Sequence, residues 1–298
     1  AAVDKARSII ANFFKAEPAE IIFTSGATES NNLAIKGVIK SYFSKKENTG
    51  KKPHIVTTAF EHHCVLYACR SVAKEGLAEV TYVKPGKDGV VNVADIKRAI
   101  RPNTILVSIM YVNNEIGTAQ PIVEIGKLIK ETNARRGDTR HKLIFHTDAT
   151  QAISYFDCDV DNLGIDLLSM SAHKIYGPKG VGLLYVRKGT PIKHIQEGGD
   201  QEFRLRAGTH NVTGIVGLGK AIEIVAHNSI RESKRIKKLR DYLIKRVLKE
   251  IHNSKLNGSK TKRSPNNANF SFKDIEGEGL ILSMDMEGVA CSTGSACS

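Results

Sequence analysis

Several short segments of the chain carry side chains that could serve one reaction. Lys174 stands in SAHKIYGPKGVGLLYV, residues 171–186, between two apolar runs where a solvated lysine is out of place. An amine held at the edge of a core is a nucleophile toward a carbonyl. Asp148 closes the apolar run LIFHTD. A carboxylate there is costly to bury unless it meets a cation, and its plainer role is to cap the next helix. In TSGATE, residues 24–29, small residues precede a helical stretch. Thr24 or Ser25 is the expected N-cap, and the open N–H groups of the helix start, with the Thr28 hydroxyl, suit a phosphate. Ser171 and His173 precede Lys174 and add polar groups for the same anion, and His62 offers an imidazole that can stack on a ring. Taken singly, each has a bland alternative: a capped helix, a structural histidine, a capping aspartate. Taken together, they ask for a molecule with a phosphate, a protonatable ring nitrogen and an aldehyde, which describes pyridoxal phosphate.

The elements that must position these groups are visible as alternating patterns. Strand-like runs are EIIFTS, HIVTTA, EVTYVK, TILVSIMYV, LIFHTDA, DLLSMSA and VGLLYVR. Helical periodicity falls at 27–44, 62–75, 92–100 and 121–134. Such alternation predicts an α/β fold with a mostly parallel central sheet flanked by helices, whose site lies at the carboxyl ends of the strands. All the residues singled out follow such strand ends. Residues 1–230 are expected to form the large domain. Residues 231–298 are expected to form a linking helix and part of a smaller α+β domain, entered through the loop-like NSKLNGSKTKRSPNNANFSF.

Composition narrows the class. With 298 residues, 41% of them hydrophobic, the chain can bury a large core. It has no run of about 18 apolar residues and no opening signal segment, so a soluble protein of the cytoplasm or an organelle matrix is expected. Five cysteines, at 64, 69, 158, 291 and 297, form no CxxC pair. That argues for a reducing compartment and against a disulfide or zinc scaffold. Joint metal ligation by His62, His63 and Cys64 is disfavoured because adjacent helical residues point apart. The net charge of +13 raises the question of nucleic acid, and the densest basic stretch is 231–263. There Ile236, Leu239, Leu243, Val247 and Ile251 recur at helical spacing, so the charges read as the solvated face of an amphipathic helix. Gly214 to Lys220 spells GxxxxGK but continues with alanine and follows no hydrophobic strand, which argues against a nucleotide-binding loop.

The stretches TSGATESNNLAIKG, EHHCVL, VNNEIG, HTDATQA, SAHKIYGPKGVG, RAGT and STGSACS, in this order, resemble the cysteine desulfurases of the NifS/IscS type, which are fold-type I pyridoxal-phosphate enzymes. The resemblance implies roles for residues of this sequence. Lys174 would bond the cofactor's aldehyde, Asp148 would pair with the ring nitrogen and Gln151 would hydrogen-bond the ring's phenolic oxygen. His62 would stack on the ring and act as acid and base. Ala27, Thr28, Ser171 and His173 would hold the phosphate. Asn114 would contact substrate or cofactor, and Thr209 would reach the phosphate of a neighbouring subunit in a homodimer. Cys297 would attack the sulfur of L-cysteine, leaving a persulfide and alanine, and pass the sulfur to an iron–sulfur scaffold protein, another acceptor or tRNA thiolation. Cys291 reads as packed on a strand, and Cys64, Cys69 and Cys158 read as structural. The family's pattern extends beyond both ends of this chain, so the chain resembles part of a longer protein, and the arginine expected for the substrate carboxylate has no counterpart here. The alternatives are a selenocysteine lyase or another lyase or aminotransferase of the same fold, and a non-catalytic sulfur-transfer scaffold.

Overall fold

The computed structural model describes residues 1–48, 50–137 and 141–294. In chain order the elements are α1 (Ala2–Phe14), β1 (Ile21–Thr24), α2 (Ala27–Phe43), β2 (His54–Thr58), α3 (His63–Lys74), β3 (Glu79–Val83), α4 (Val93–Ala99) and β4 (Thr104–Ser108). They continue with α5 (Ile122–Arg136), β5 (Ile144–Asp148), α6 (Val160–Leu163), β6 (Leu167–Ser171) and β7 (Gly182–Val186). The last are α7 (Val212–Glu250), β8 (Ser254–Leu256), β9 (Phe270–Phe272) and α8 (Gly277–Met286).

The first seven strands form one sheet in the order β1-β7-β6-β5-β4-β2-β3. Its central pairs, β2–β3, β2–β4, β4–β5 and β5–β6, are parallel. Only β7 runs against its neighbours, β1 and β6. The link from β6 to β7 is the turn around Lys174, too short for the crossover that a parallel pair requires. Each central strand is buried on both faces. Ile55, Leu106, Ile144, Leu167 and Leu184 meet α2 and α3. The next residue along, or in β7 the one before, Val56, Val107, Phe145, Leu168 and Leu183, meets α1, α5 and α7 on the other side. This period-2 division of near-continuous apolar runs marks a sheet covered by helices on both sides.

A close approach at one end of this sheet shapes the site. A Cβ on Gly182 would sit 2.4 Å from the Met170 carbonyl oxygen and 2.6 Å from the Gly26 Cα. Glycine there lets the turn after β1 lie against the end of β6.

The helix α7 is 39 residues long and passes unbroken through position 230, where the sequence suggests a domain boundary. Its burial ends at Ile222 and returns only at Arg240. Ile236 and Val247 are half-buried, while Leu239, Leu243 and Ile251 of the expected apolar seam are exposed. The basic stretch is otherwise largely solvated, as its charge pattern suggests, but Arg240 and Arg263 are buried struts. Arg240 Nη1 donates to the Ser264 carbonyl at 2.9 Å, and Arg263 Nε donates to the Ser259 carbonyl at 2.8 Å. A guanidinium can satisfy several carbonyls of an irregular segment at once. The segment so braced docks on the turn holding Asn113 and Asn114: Ser264 N–H donates to the Gly117 carbonyl at 2.8 Å. The stretch expected to be a loop from residue 253 begins instead with the short strand β8, paired antiparallel with β9.

A second long-range tie holds the segment before α7. Glu202, Phe203 and Arg204 take φ of 46°, 56° and 67°, three successive non-glycine residues in the left-handed region. That conformation costs roughly 1–2 kcal/mol per residue. Glu202 offsets it with a buried carboxylate that accepts from Arg7 at 2.6 and 2.9 Å, from Phe23 N–H at 2.7 Å and from His210 Nε2 at 2.5 Å. The substitution Glu202→Gln leaves the Arg7 guanidinium buried without its counter-charge. It is expected to lower stability by about 3–5 kcal/mol, read as the shift in urea midpoint.

Candidate active site

The site begins at the start of α2. The N-cap is Gly26, not Thr24 or Ser25. Thr24 Oγ1 pairs with Ser30 Oγ at 2.8 Å, Ser25 N–H donates to Glu29 Oε2 at 2.8 Å, and no local side chain caps the helix start. A residue without a side chain leaves the helix end open to a ligand, and the first N–H groups have no carbonyl a turn earlier. Ala27 N–H donates to Ser171 Oγ at 2.7 Å, which joins the helix start to the end of β6. The Cβ of any larger residue at Gly26 would approach that hydroxyl to 3.3 Å.

Asp148 ends β5 in the middle of the sheet and is 6% exposed. Its Oδ2 accepts from Asn31 Nδ2 at 2.7 Å and its Oδ1 from Thr150 N–H at 3.0 Å. The second bond closes a turn rather than capping the next helix, as weighed above, since α6 starts only at Val160; the first comes from α2. His62 is the N-cap of α3, with Nδ1 accepting from Cys64 N–H at 3.2 Å. The two asparagines after β4 divide their work. Asn113 shapes the turn, its Oδ1 accepting from the N–H groups of Glu115 and Ile116, and Asn114 faces the cavity. Past β6, His173 and Lys174 stand on a 3₁₀ turn, Ala172–Ile175, which ends on Tyr176 at φ 62°. Lys174 is half-buried. Burial, then the nearby charges of Lys174 and Lys179, lower the pKa of His173.

These groups surround one cavity of about 190 Å³. Ala27, Thr28, His62, Asn114, Asp148, Gln151, Ser171, His173 and Lys174 all line it, nine of the ten residues expected around a cofactor. The tenth, Thr209, is exposed and lines a separate cleft of about 60 Å³ with Glu202, Arg206 and His210. Arg206 Nε donates to Glu29 Oε1 at 3.0 Å, which ties that loop to the first turn of α2. Cys297, expected to be the nucleophile, lies outside the described residues. Cys291 is exposed rather than packed, because GVAC forms no strand and the residues after α8 lie on the surface. Cys64, Cys69 and Cys158 are buried thiols, but Cys64 also lines the cavity.

Two buried residues hydrogen-bonded to the cavity's lining escaped the sequence reading. Asn31 is fully buried, and Glu61 is a buried carboxyl whose Oε1 accepts from Thr58 Oγ1 at 2.5 Å and Met110 N–H at 2.9 Å. The signal for Glu61 is an acid three residues past an apolar strand, a looser form of the one that marks Asp148, the last residue of its strand. Burial, with the Asp148 charge adding to it, pushes Glu61 up to about 8 and Cys64 up to about 12. Burial pushes His146 down to about 4; its nitrogens pair with Ser108 at 2.8 Å and Ser169 at 3.0 Å. All three are therefore neutral near pH 7. The cavity suits a flat ligand with an anion at the α2 end and a cationic nitrogen over Asp148. Thr150 Oγ1, buried and without a protein partner, is a further polar group left for it.

The whole chain, residues 1–298, matches the family described as aminotransferase class-V. A curated cysteine desulfurase IscS of Dictyoglomus turgidum is 50% identical over 297 residues, covering 100% of this chain and 71% of the relative. A second, from Methanosarcina thermophila, is 48% identical over 99% of this chain and 69% of the relative. Among solved structures, one described as a NifS-like protein superposes with a TM-score of 0.89 at 35% identity, over 98% of this chain and 76% of the other. Another, described as SspA in complex with cysteine, gives 0.79 at 38% identity, over 99% and 78%. Fold and site thus define a fold-type I enzyme of the kind that uses pyridoxal phosphate. The chain belongs to the class-V aminotransferase family, within its cysteine desulfurases.

Glu61 gives a pH signature. Its carboxyl keeps its proton in the fold up to about 8, whereas the unfolded chain loses it near 4.5. Stability from this group is complete below 4.5, falls as pH rises between these values, and is lost above them, at up to about 1.4 kcal/mol per pH unit. The substitution Glu61→Gln is expected to flatten that part of the urea-midpoint profile.

Proposed function

We propose that the chain carries the pyridoxal-phosphate site of a cysteine desulfurase, which takes sulfur from L-cysteine and releases L-alanine. The observation that carries this reading is the convergence on one cavity of Lys174, Asp148, His62 and the α2 start, from four separate strand ends. When bound, the cofactor supplies an electron sink for the carbanion at the substrate's Cα. Ala27, Thr28, Ser171 and His173 would hold its phosphate at the α2 start, where the helix end favours an anion. Asp148 carries the counter-charge for the ring nitrogen, held in place by Asn31. His62 would cover one face of the ring, and Gln151 would hydrogen-bond its oxygen.

Lys174 has two duties. Its Nζ would hold the cofactor's aldehyde, and the same amine is the base placed to move the Cα proton of L-cysteine. Asn114 contacts the amino acid from the turn after β4. His62 holds or releases a proton beside the substrate. The Cys297 thiolate attacks the substrate's sulfur, so that an S–S bond forms as the C–S bond breaks. The bonding pair goes to carbon, which takes a proton and leaves as alanine, and the persulfide stays on Cys297. Glycine and serine around Cys297, in STGSACS, suit a segment that visits the cavity and then an acceptor.

Further parts of the reading concern assembly and place. A homodimer brings Thr209 to the phosphate of the neighbouring site, and the ties of its loop to Glu29 and Arg7 support a role in presenting it. The persulfide goes to an iron–sulfur scaffold or another sulfur acceptor. A reducing compartment, cytoplasm or organelle matrix, fits the three buried free thiols. Among the described residues no helix is long and apolar enough to cross a membrane.

The purified protein is expected to be yellow, to release sulfide and alanine from L-cysteine, and to lose its colour in Lys174→Ala; a colourless wild type refutes the reading. Cys297→Ala is expected to keep the colour while sulfide release falls on the order of 10³-fold or more. Unchanged turnover moves the nucleophile elsewhere.

A further inference from the structure

Beneath the cavity, hydrogen bonds join the two groups that would flank a bound ring. Asn31, 0% exposed, donates one amide hydrogen to Asp148 Oδ2 at 2.7 Å and the other to Cys64 Sγ at 3.0 Å. Cys64 Sγ in turn stands 2.9 Å from His62 Nδ1. The directions along this chain are fixed by what each group can do. A carboxylate only accepts, so Asn31 must turn its NH₂ toward Asp148. The same NH₂ then donates to sulfur, and the sulfur's own hydrogen is left for His62. Burial keeps that thiol protonated. His62 Nδ1 already accepts from Cys64 N–H at 3.2 Å, so two donors converge on it. In the neutral ring the proton then resides on Nε2.

The arrangement also leaves a mark. Asn31 Oδ1 is buried with no partner in the protein, an expense that folding alone does not explain. An amide turned the other way would satisfy its oxygen from the thiol but would set that oxygen against the carboxylate if it reached Asp148. The observed orientation gives up a bond at Oδ1 to donate toward both Asp148 and Cys64.

We propose that Asn31 and Cys64 are positioning residues of the reaction, a hydrogen-bonded bridge that fixes the Asp148 carboxylate and holds His62 in the Nε2–H form. The inference rests on the cofactor site described above, since only there do Asp148 and His62 act on one ligand. It gives Cys64 a part beyond filling the core. It also makes a change at one end of the bridge felt at the other.

The test uses the intact protein with Asn31→Ala, Cys64→Ala, Cys64→Ser and the double alanine variant. In protein stripped of cofactor, histidine ¹⁵N resonances are expected to show Nδ1 of His62 unprotonated and Nε2 protonated, and Cys64→Ala is expected to shift Nδ1 while Cys64→Ser restores it. In the yellow enzyme each alanine variant is expected to lower kcat roughly 2- to 10-fold, the worth of one hydrogen bond, with a smaller change in KM. The double variant is expected to lose no more than the worse single one, because both break one bridge. Losses that multiply, or a Nδ1 signal that Cys64→Ala leaves in place, overturn the bridge. Cys64→Ser keeps a donor of similar size, so its failure to restore Nδ1 and kcat while the fold is intact also overturns it. A colourless wild type sinks the cofactor reading instead, a result separate from these.

Discussion

The structure turns on a carboxylate placed where carboxylates are costly. Asp148 closes the middle strand of a sheet whose neighbours are apolar on both faces, and only 6% of it reaches solvent. Such a group needs donors, and it draws them from a distance: Asn31 lies 117 residues earlier, on a helix packed across the sheet. The glycine at 182, which lets the α2 start approach the end of β6, serves the same site. Burial then removes competing charge. Glu61 and Cys64 are pushed up and His146 is pushed down, so these three neighbours of Asp148 are neutral at ordinary pH. In a region of low dielectric a lone carboxylate acts strongly on any cationic atom brought over it.

What the sequence made legible follows from the same burial. Strands covered on both faces read as apolar runs bounded by turn residues, and all seven of the main sheet lie within the expected stretches. A polar residue just beyond such a run is conspicuous, which is why Lys174, Asp148 and His62 stand out and why they meet. The parallel sheet brings its carboxyl ends to one edge, so residues that are regular in sequence position become neighbours in space.

What stayed hidden depends on relations between distant elements. Asn31 sits inside a helix, where asparagine ordinarily reads as a surface residue, and only the packing of α2 aims it at Asp148. The Arg7–Glu202 pair spans 195 residues, and no local pattern signals that three non-glycine residues would adopt left-handed backbone. The basic stretch was legible except at two residues. Charge periodicity described a solvated face, yet Arg240 is the buried residue of that half of α7, since a neighbouring loop needs its carbonyls satisfied. Cys291 followed a strand-like pattern, but four apolar and small residues at a chain's surface do not form a strand without a partner to pair with.

The two long-range ties share a logic. Glu202 holds a strained turn next to Thr209 through four donors, and Asn31 spends an unpaired oxygen to donate in two directions. Both are local costs that the surrounding packing overrides, and such costs gather where position matters more than stability. Both also join groups that the fold alone would leave independent: α1 with the loop of Thr209, and α2 with two residues lining the cavity. A rigid parallel sheet can present side chains at its edge, but it cannot fix their rotation. That task falls to side chains reaching across from the helices, and in this molecule they are an arginine on α1 and an asparagine on α2.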